Sequence, residues 1–536
     1  MRPLIRLLIV LGALLGVPFL LRAAAGAAGG PAAPAAPAAP APSPASAASP
    51  APAAPAALSN VPRVWDEEAL RSMEVPLAKP GASGHYVVDA DFYYRIPVRR
   101  VWKSYPIYHP SREPAGYVDW LKQQEPEVVF DAAKLQTRED WIRAGELVFD
   151  APLYYEEQDV VDQLHDPQWY TAGGVPVAKD GIMPFNRYFV THKGQVLVGE
   201  FSCSMCHTRV LPDGTVVRGA QGNYPKERLE AAGRQADAAK QTDAQKFLDA
   251  LHGFARNAFG APWLGAQDPA ARYAKLSFDE LQAQWRAIPP GVQARFATSV
   301  WNPVQVPDLI GLADRQYFDR TGLVRHRSIG DVMRYAAINQ GAFLFAAHGD
   351  FKFNEHLPPP EQMQRYGDDQ LYALALYLYS LQPPANPHRF DAQAKRGKAV
   401  FEREGCGNCH TPPLYTSNKL TPAEGFTVPL DHPDRANVIS RSLGTDPGLA
   451  LATRRGTGFY KVPSLKGVWY RGPLQHSGQV ATLEEWFDPR RLSDTFVSQG
   501  GFRDPAAPSG AVRGHEMALK VTPQERLDLI AFLRTL

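Results

Sequence analysis

Two five-residue stretches carry the chemistry. Cys203-Ser204-Met205-Cys206-His207 and Cys406-Gly407-Asn408-Cys409-His410 both read C-x-x-C-H, and together they use all four cysteines of the 536-residue chain. A C-x-x-C pair alone reads three ways: half of a zinc site, a redox dithiol or a disulfide. The histidine directly after it narrows the choice. Covalent haem attachment needs two thiols spaced to reach two vinyl groups on one porphyrin edge. It also needs an imidazole on the next residue to sit under the iron, and C-x-x-C-H supplies both. A tetrahedral zinc site would need the motifs to converge or to recruit further ligands. A thioredoxin-like dithiol has no use for the histidine. The pattern predicts two covalently bound c-type haems, one on Cys203 and Cys206, the other on Cys406 and Cys409, with His207 and His410 as iron ligands.

The elements around the motifs repeat. Before the second motif stands KRGKAVFEREGCGNCH (395–410). The earlier half has RAGELVFDAP (143–152) and VGEFSCSMCH (198–207), so Gly145 and Val148-Phe149 match Gly397 and Val400-Phe401. The first copy carries an insertion at 150–197. After the motifs, VPDLIGLADRQYFDRTGL (306–323) matches VPSLKGVWYRGPLQHSGQ (462–479) without a gap. A last pair is helical by period. Leu374, Leu378 and Leu381 share one face, as do Leu529, Leu533 and Leu536. Thr522-Pro523-Gln524-Glu525 predicts a capping box with proline at the first helical position, and Pro383-Pro384 stops the other helix. The expected fold is mainly α: two tandem cytochrome c-type haem domains, 141–385 and 386–536, with long loops and an irregular N-terminal extension at 58–140.

The N-terminus points out of the cytoplasm. Arg2 and Arg6 precede an apolar run from Leu7 to Leu21, with small residues at Ala23–Ala28, so 1–28 reads as a signal peptide or an anchor. The run is short for a membrane span of about 20 apolar residues. Residues 29–57 are an Ala/Pro-rich linker, a semi-rigid spacer or tether. The expected location is periplasmic or secreted, with a membrane anchor through the N-terminus as the alternative. Net charge is +2 and no basic run stands out, so no nucleic-acid footprint is visible.

Over about 140–536 these features resemble the bacterial di-haem cytochrome c peroxidase superfamily, which includes the methylamine dehydrogenase maturation enzyme and the rubber oxygenases. RAGELVFDAP…GEFSCSMCHT is similar to the family's first-domain opening, and VPSLKGVWYRGPLQHSGQVATLEEWF to its second-domain signature. The wide motif spacing, the long extension and the late GHE motif look more like the rubber oxygenase branch. The resemblance implies a haem oxidoreductase in which peroxide or dioxygen reacts at one haem and electrons pass through the other. The donor would be a small cytochrome c, a cupredoxin or an organic substrate, and calcium is a further cofactor to look for. In the peroxidases a methionine ligand follows the histidine-x-glycine motif by fourteen residues; here that position is Arg490. The acidic motif beside the peroxidases' reactive haem is not reproduced in RHRSIGDVMRYAAINQGAF.

The sixth iron positions decide between electron transfer and ligand binding. For the second haem His515 is the expected ligand, with Met517 its local rival. His476 is implied to lie beside the haem without binding iron, and repeat alignment puts Arg320 opposite it. For the first haem no histidine follows His207 until His252, and His326, His348 and His356 lie farther on. That haem is expected to be five-coordinate or weakly capped, and so the reactive one. The resemblance implies an oxidisable tryptophan between the haems: Trp301 is the candidate, with Trp469 and Tyr470 second. A proton donor or a polarising arginine near the open haem would come from His348, Asp350 or Arg320. Two other readings stay open: a pure electron carrier with both haems closed, and an oxygenase of the rubber-cleaving kind.

Overall fold

Helix α1 (Arg138–Asp150) opens the first half; α2 (Lys226–Ala238) and α3 (Ala244–Phe259) follow its cysteine motif, and α4 (Ile329–Asn339) and α5 (Asp368–Ser380) close it. In the shorter second half α6 (Ala392–Arg403) leads into the motif and α7 (Pro523–Arg534) packs back on it. This computed structural model describes residues 61–79, 82, 89–341, 347–348, 351–352, 357–430 and 437–536. The expected signal peptide or anchor at 1–28, the Ala/Pro tract, Asp350 and His356 lie outside the described residues.

The helices start where their sequences cap them. Thr137 and Asp140 cap α1 reciprocally, as Thr522 and Glu525 cap α7, with Pro523 at its first position. Helix α1 buries Trp141, Ala144, Gly145, Val148 and Phe149, the spacing of one helical face. Helix α6 buries Ala394, Gly397, Val400 and Phe401. Both glycines sit where two helices cross. A Cβ on Gly145 would stand 2.0 Å from the Ala373 carbonyl oxygen of α5, and one on Gly397 1.8 Å from the Asp528 carbonyl oxygen of α7. Each half thus contains a helix pair closed on a glycine; α6 leads directly to its cysteine motif, whereas the insertion separates α1 from Cys203.

The N-terminal extension, expected to be irregular, is instead ordered, and with the insertion it adds a sheet to the helical chain. Together they build one antiparallel sheet in the order β1-β3-β4-β2. Strand β1 (Ser104–Tyr108) comes from the extension; β2 (Tyr154–Glu156), β3 (Ile182–His192) and β4 (Gln195–Glu200) come from the insertion. The extension also forms short helices at Glu67–Met73, Ala90–Arg95 and Tyr117–Lys122. The described residues are 38% helical and 12% strand. Strand β1 was hidden in the sequence by Pro106, which has no N–H to give. It occupies an edge, and its pairing with β3 shifts register between Tyr105 and Ile107. Val64, Trp65, Leu70 and Met73 of the extension pack into the same core as Val148, Phe149, Leu374 and Leu378, so the extension is part of the first half.

The halves are stitched by buried bonds. Gln221 and Gln305 both donate to the Pro473 carbonyl, Arg209 donates to Gly472, and Arg454 reaches the carbonyls of Asn257 and Gly260. Among the described residues no helix is long and apolar enough to cross a membrane.

Candidate haem sites

Strand β4 runs straight into the first motif. Ser202 caps the helical turn Cys203–Cys206, and the His207 N–H donates to the Cys203 carbonyl at 2.9 Å. The second motif turns through Cys406–Asn408 after Gly405, and the His410 N–H donates to the Cys406 carbonyl at 2.9 Å. No disulfide joins any of the four cysteines. Burial pushes Cys203 up to about 12 and Cys406 to about 11, the opposite of the depressed thiol of a redox dithiol. Among the described residues no three His, Cys, Asp or Glu side chains gather as a metal cluster.

The imidazoles are fixed in the same way in both halves. His207 Nδ1 donates to the Pro307 carbonyl at 3.0 Å. His410 Nδ1 is shared between the carbonyls of Pro463 at 3.1 Å and Tyr415 at 3.2 Å. A carbonyl only accepts, so Nδ1 carries the proton and Nε2 keeps its lone pair for a metal. Burial lowers both histidines to about 4, so both are neutral. Pro307 and Pro463 stand at the same place in the ungapped repeat. So do Arg315 and Arg471: Arg315 binds the carbonyls of Asp308 and Ile310, and Arg471 binds that of Ser464 at 2.8 Å. Each arginine ties down the turn whose proline holds the imidazole.

Opposite His410 stands His515, their ring centroids 6.3 Å apart. Two nitrogens each about 2.0 Å from one metal, plus roughly 1.2 Å from nitrogen to ring centre on both sides, give a similar separation. His515 is itself held. Its φ is 47°, its N–H donates to the Leu443 carbonyl, and buried Arg491 binds the carbonyls of Val512, Gly514 and His515. Trp486 packs on its ring at 5.2 Å.

Beside His207 the arrangement is different. A cavity of 2260 Å³ reaches Cys203, Cys206 and His207, well beyond the roughly 300–1,000 Å³ of an ordinary ligand pocket. Gln293 Nε2 lies 2.9 Å from the Cys206 sulfur and Gln340 Nε2 3.6 Å from that of Cys203. Next to these glutamines, Arg295, Tyr335, Asp319 and Arg455 form one network on the cavity wall. The Tyr335 hydroxyl donates to Asp319 at 3.1 Å, and Arg455 pairs with the same carboxylate oxygen. Burial would raise Asp319, but Arg455 and Arg295 outweigh it and hold its carboxyl below the usual range. Farther out, Trp169, Phe247, Phe254 and Trp285 line the same space.

Trp301, Arg320 and His348 are not gathered on this wall. Trp301 is buried against Tyr273 and under the Arg272 guanidinium, in the cluster formed by α3 and its neighbours. His348 is buried near Trp263 at a separate small pocket. Arg320 lies at the seam between the halves, where it joins Arg315, Arg471 and Lys461. Burial, then Arg471 and Arg315, push its guanidinium down to about 9, and its Nε has no hydrogen-bond partner. Burial, then Arg315 and Arg320, hold Lys461 well below its usual value. A buried cluster this rich in cations fits the two carboxylates that each haem carries. His476 stacks on Tyr460 at 4.2 Å and shares a hydrogen bond with its hydroxyl. His326 is bound between the Arg315 carbonyl and Tyr379.

No family model matches the chain. Cytochrome-c peroxidase IdrP1 of Pseudomonas sp. (strain SCT) is 30% identical over 165 residues, covering 27% of this chain and 40% of the relative. The protein of the same name from Denitromonas iodatirespirans is 31% identical over 170 residues, with the same shares. Methylamine utilization protein MauG of Methylorubrum extorquens is 31% identical over 146 residues, covering 27% of this chain and 35% of that protein. The match spans less than half the length of each of these curated relatives. A solved MauG-like protein associated with microbial copper homeostasis is 19% identical over 31% of this chain and 56% of its own, with a TM-score of 0.20, too low to carry an argument.

Proposed function

We propose, from the premise that this chain is a relative of the di-haem cytochrome c peroxidase superfamily, that it is an exported di-haem oxidoreductase with one reactive and one closed centre. Cys203, Cys206 and His207 would hold the reactive haem; Cys406, Cys409, His410 and His515 would hold the other. Bound haem supplies one-electron chemistry and, where one face stays open, an iron that takes peroxide or dioxygen. The observation that carries this reading is the contrast between the halves: a 2260 Å³ cavity beside His207, and an imidazole opposite His410.

The protein's own groups do the rest. Pro307 and Pro463 fix the tautomer and orientation of the two imidazoles. Arg295 and Arg455 bring fixed positive charge to the cavity wall, where charge developing on a reduced oxygen species would be stabilised. Asp319 stays ionised and anchors both guanidinium groups, so it is no proton donor. Tyr335, hydrogen-bonded to it, is the group placed to pass a proton. The electron donor would be a small cytochrome c or a cupredoxin.

The aromatic outer wall supports a second reading, an oxygenase of the rubber-cleaving kind acting on an apolar organic substrate. Absorption and paramagnetic-resonance spectra with and without carbon monoxide test the first. One high-spin centre that binds carbon monoxide beside one low-spin centre is expected; two low-spin centres that ignore it would refute the reading in favour of an electron carrier. Oxygen uptake with an isoprenoid and no added reductant would establish the second.

A further inference from the structure

The two proximal turns touch. Pro307, which holds His207, is followed by Asp308, and Asp308 Oδ2 accepts the Tyr470 hydroxyl at 2.8 Å. Tyr470 belongs to the second half. Its neighbour Arg471 stands 3.8 Å from the same carboxylate through Nε, and through Nη2 binds the carbonyl of Ser464, the residue after Pro463. Pro463 holds His410. An unbroken line of bonds therefore runs from one imidazole to the other: His207, Pro307-Asp308, Tyr470-Arg471, Ser464-Pro463, His410. Asp308 and Tyr470 are both buried. Arg315 adds a clamp on the Asp308 carbonyl from the first half.

We propose that Asp308, Tyr470 and Arg471 are positioning residues that couple the two centres, so that a change in one half resets the reduction potential of the other. The inference rests on His207 and His410 being haem ligands. Its physical basis is that the partner of a ligand's far nitrogen tunes ligand basicity and hence the metal. Here both partners hang on one shared carboxylate. Asp308 also places a buried negative charge one residue from the carbonyl that holds His207, which favours the oxidised form of that centre. Coupling between sites is reciprocal, so reduction of either centre must shift the potential of the other by the same amount.

The test is a redox titration of the holoprotein and of Asp308→Asn, Tyr470→Phe and the double variant, following each centre by its own spectrum. Asp308→Asn is expected to raise the reduced-to-oxidised ratio of the His207 centre about tenfold at a fixed ambient potential, which is about 59 mV for one electron. It should also move the His410 centre by about fivefold, the low end of measured couplings. Tyr470→Phe removes one hydroxyl and keeps the ring against Trp469; it too should move both centres, and the double variant should be non-additive. Single variants that each move only the centre of their own half, with an additive double variant, would overturn the proposal. Should Asp308→Asn not accumulate with haem, Tyr470→Phe decides alone: both potentials moving supports the coupling, and only that of the His410 centre moving, or neither, overturns it. A haem count on the unmodified protein separates the two levels of the argument. Fewer than two haems per chain would remove the ligand reading, and the coupling with it.

Discussion

Gly397→Ala sets two physical effects of opposite sign against each other. Helix propensity alone says that alanine inside α6 should stabilise by about 1 kcal/mol. The packing says otherwise. The new Cβ would stand 1.8 Å from the Asp528 carbonyl oxygen, 2.4 Å from its carbon and 2.9 Å from Phe532 Cβ. Carbon and oxygen approach without penalty to about 3.3 Å, so α6 and α7 must part by roughly 1.5 Å. The obstacle is backbone, and no rotamer relieves it. Val400 and Phe401 would draw away from Leu529, Phe532 and Leu533 in the same cluster. Overpacking of this kind costs about 1–3 kcal/mol, and partial exposure of Phe401 adds a fraction of the roughly 1.5–3 kcal/mol that its burial contributes. The expected net loss is about 3 kcal/mol, read as a lower urea midpoint of the holoprotein with an unchanged slope. Gly145→Ala, 2.0 Å from the Ala373 carbonyl oxygen, should do the same in the first half. Gly233→Ala is the control. It lies on α2 with nothing within 4 Å of the added carbon, and should stabilise by about 0.5–1 kcal/mol. If Gly397→Ala stabilised like Gly233→Ala, the crossing geometry given above would be wrong.

Removing His515 should open the second centre. The reduced unmodified protein is expected to take up about one carbon monoxide per chain and His515→Ala about two, with loss of low-spin signal. Arg295→Gln should lower turnover about a hundredfold at unchanged haem content, since it deletes a fixed charge on the cavity wall. Glu227 gives a pH signature. Burial, offset in part by Lys226, lifts its carboxyl to about 7 from about 4.5. The unfolded chain then releases a proton between about pH 4.5 and 7 that the folded chain keeps, so this group's stabilising contribution is full below 4.5 and falls as pH rises through 7. The loss above that window is about 3 kcal/mol. Glu227→Gln should remove the slope and be the more stable form at pH 8 in urea titrations.

What the sequence disclosed follows from which contacts are local. The motif turns, the capping box at Thr522 and the glycines at 145 and 397 are set by residues close together, and the duplication displayed the motifs and the glycines twice. The ungapped VPDL/VPSL match also marked the turns that carry Pro307 and Pro463, and it held the signal for Arg315 and Arg471, which fall in the same column. Long-range pairing was not legible. Strand β1 finds its partner only in β3, and the alternation that would have announced it is broken by Pro106. The cavity wall is assembled from Arg295, Asp319, Tyr335 and Arg455, and nothing local ties Arg455 of the second half to Asp319 of the first. Arg320 was drawn to notice by standing opposite His476 in the repeat. Equivalent columns share a backbone path but not an environment, and the seam between the halves places Arg320 among other cations rather than on the cavity wall.

The halves hold their imidazoles by the same device, so the proposed difference in chemistry would come from the other side of each site. In the second half a loop residue is brought over in a left-handed conformation that favours glycine, though histidine adopts it more readily than most side chains. Arg491 makes that conformation persist by binding the loop's carbonyls at Val512, Gly514 and His515, while Trp486 packs against the ring. In the first half the cavity beside His207 is bounded by two arginines that share one carboxylate. A closed centre keeps its coordination as it changes charge, which suits passing electrons; an open, cation-lined one suits a small oxygen species. On the proposed reading the asymmetry of this duplicated chain would be carried by the loop of His515 and the wall of Arg295 and Arg455, and the turns that hold His207 and His410 would link the two centres.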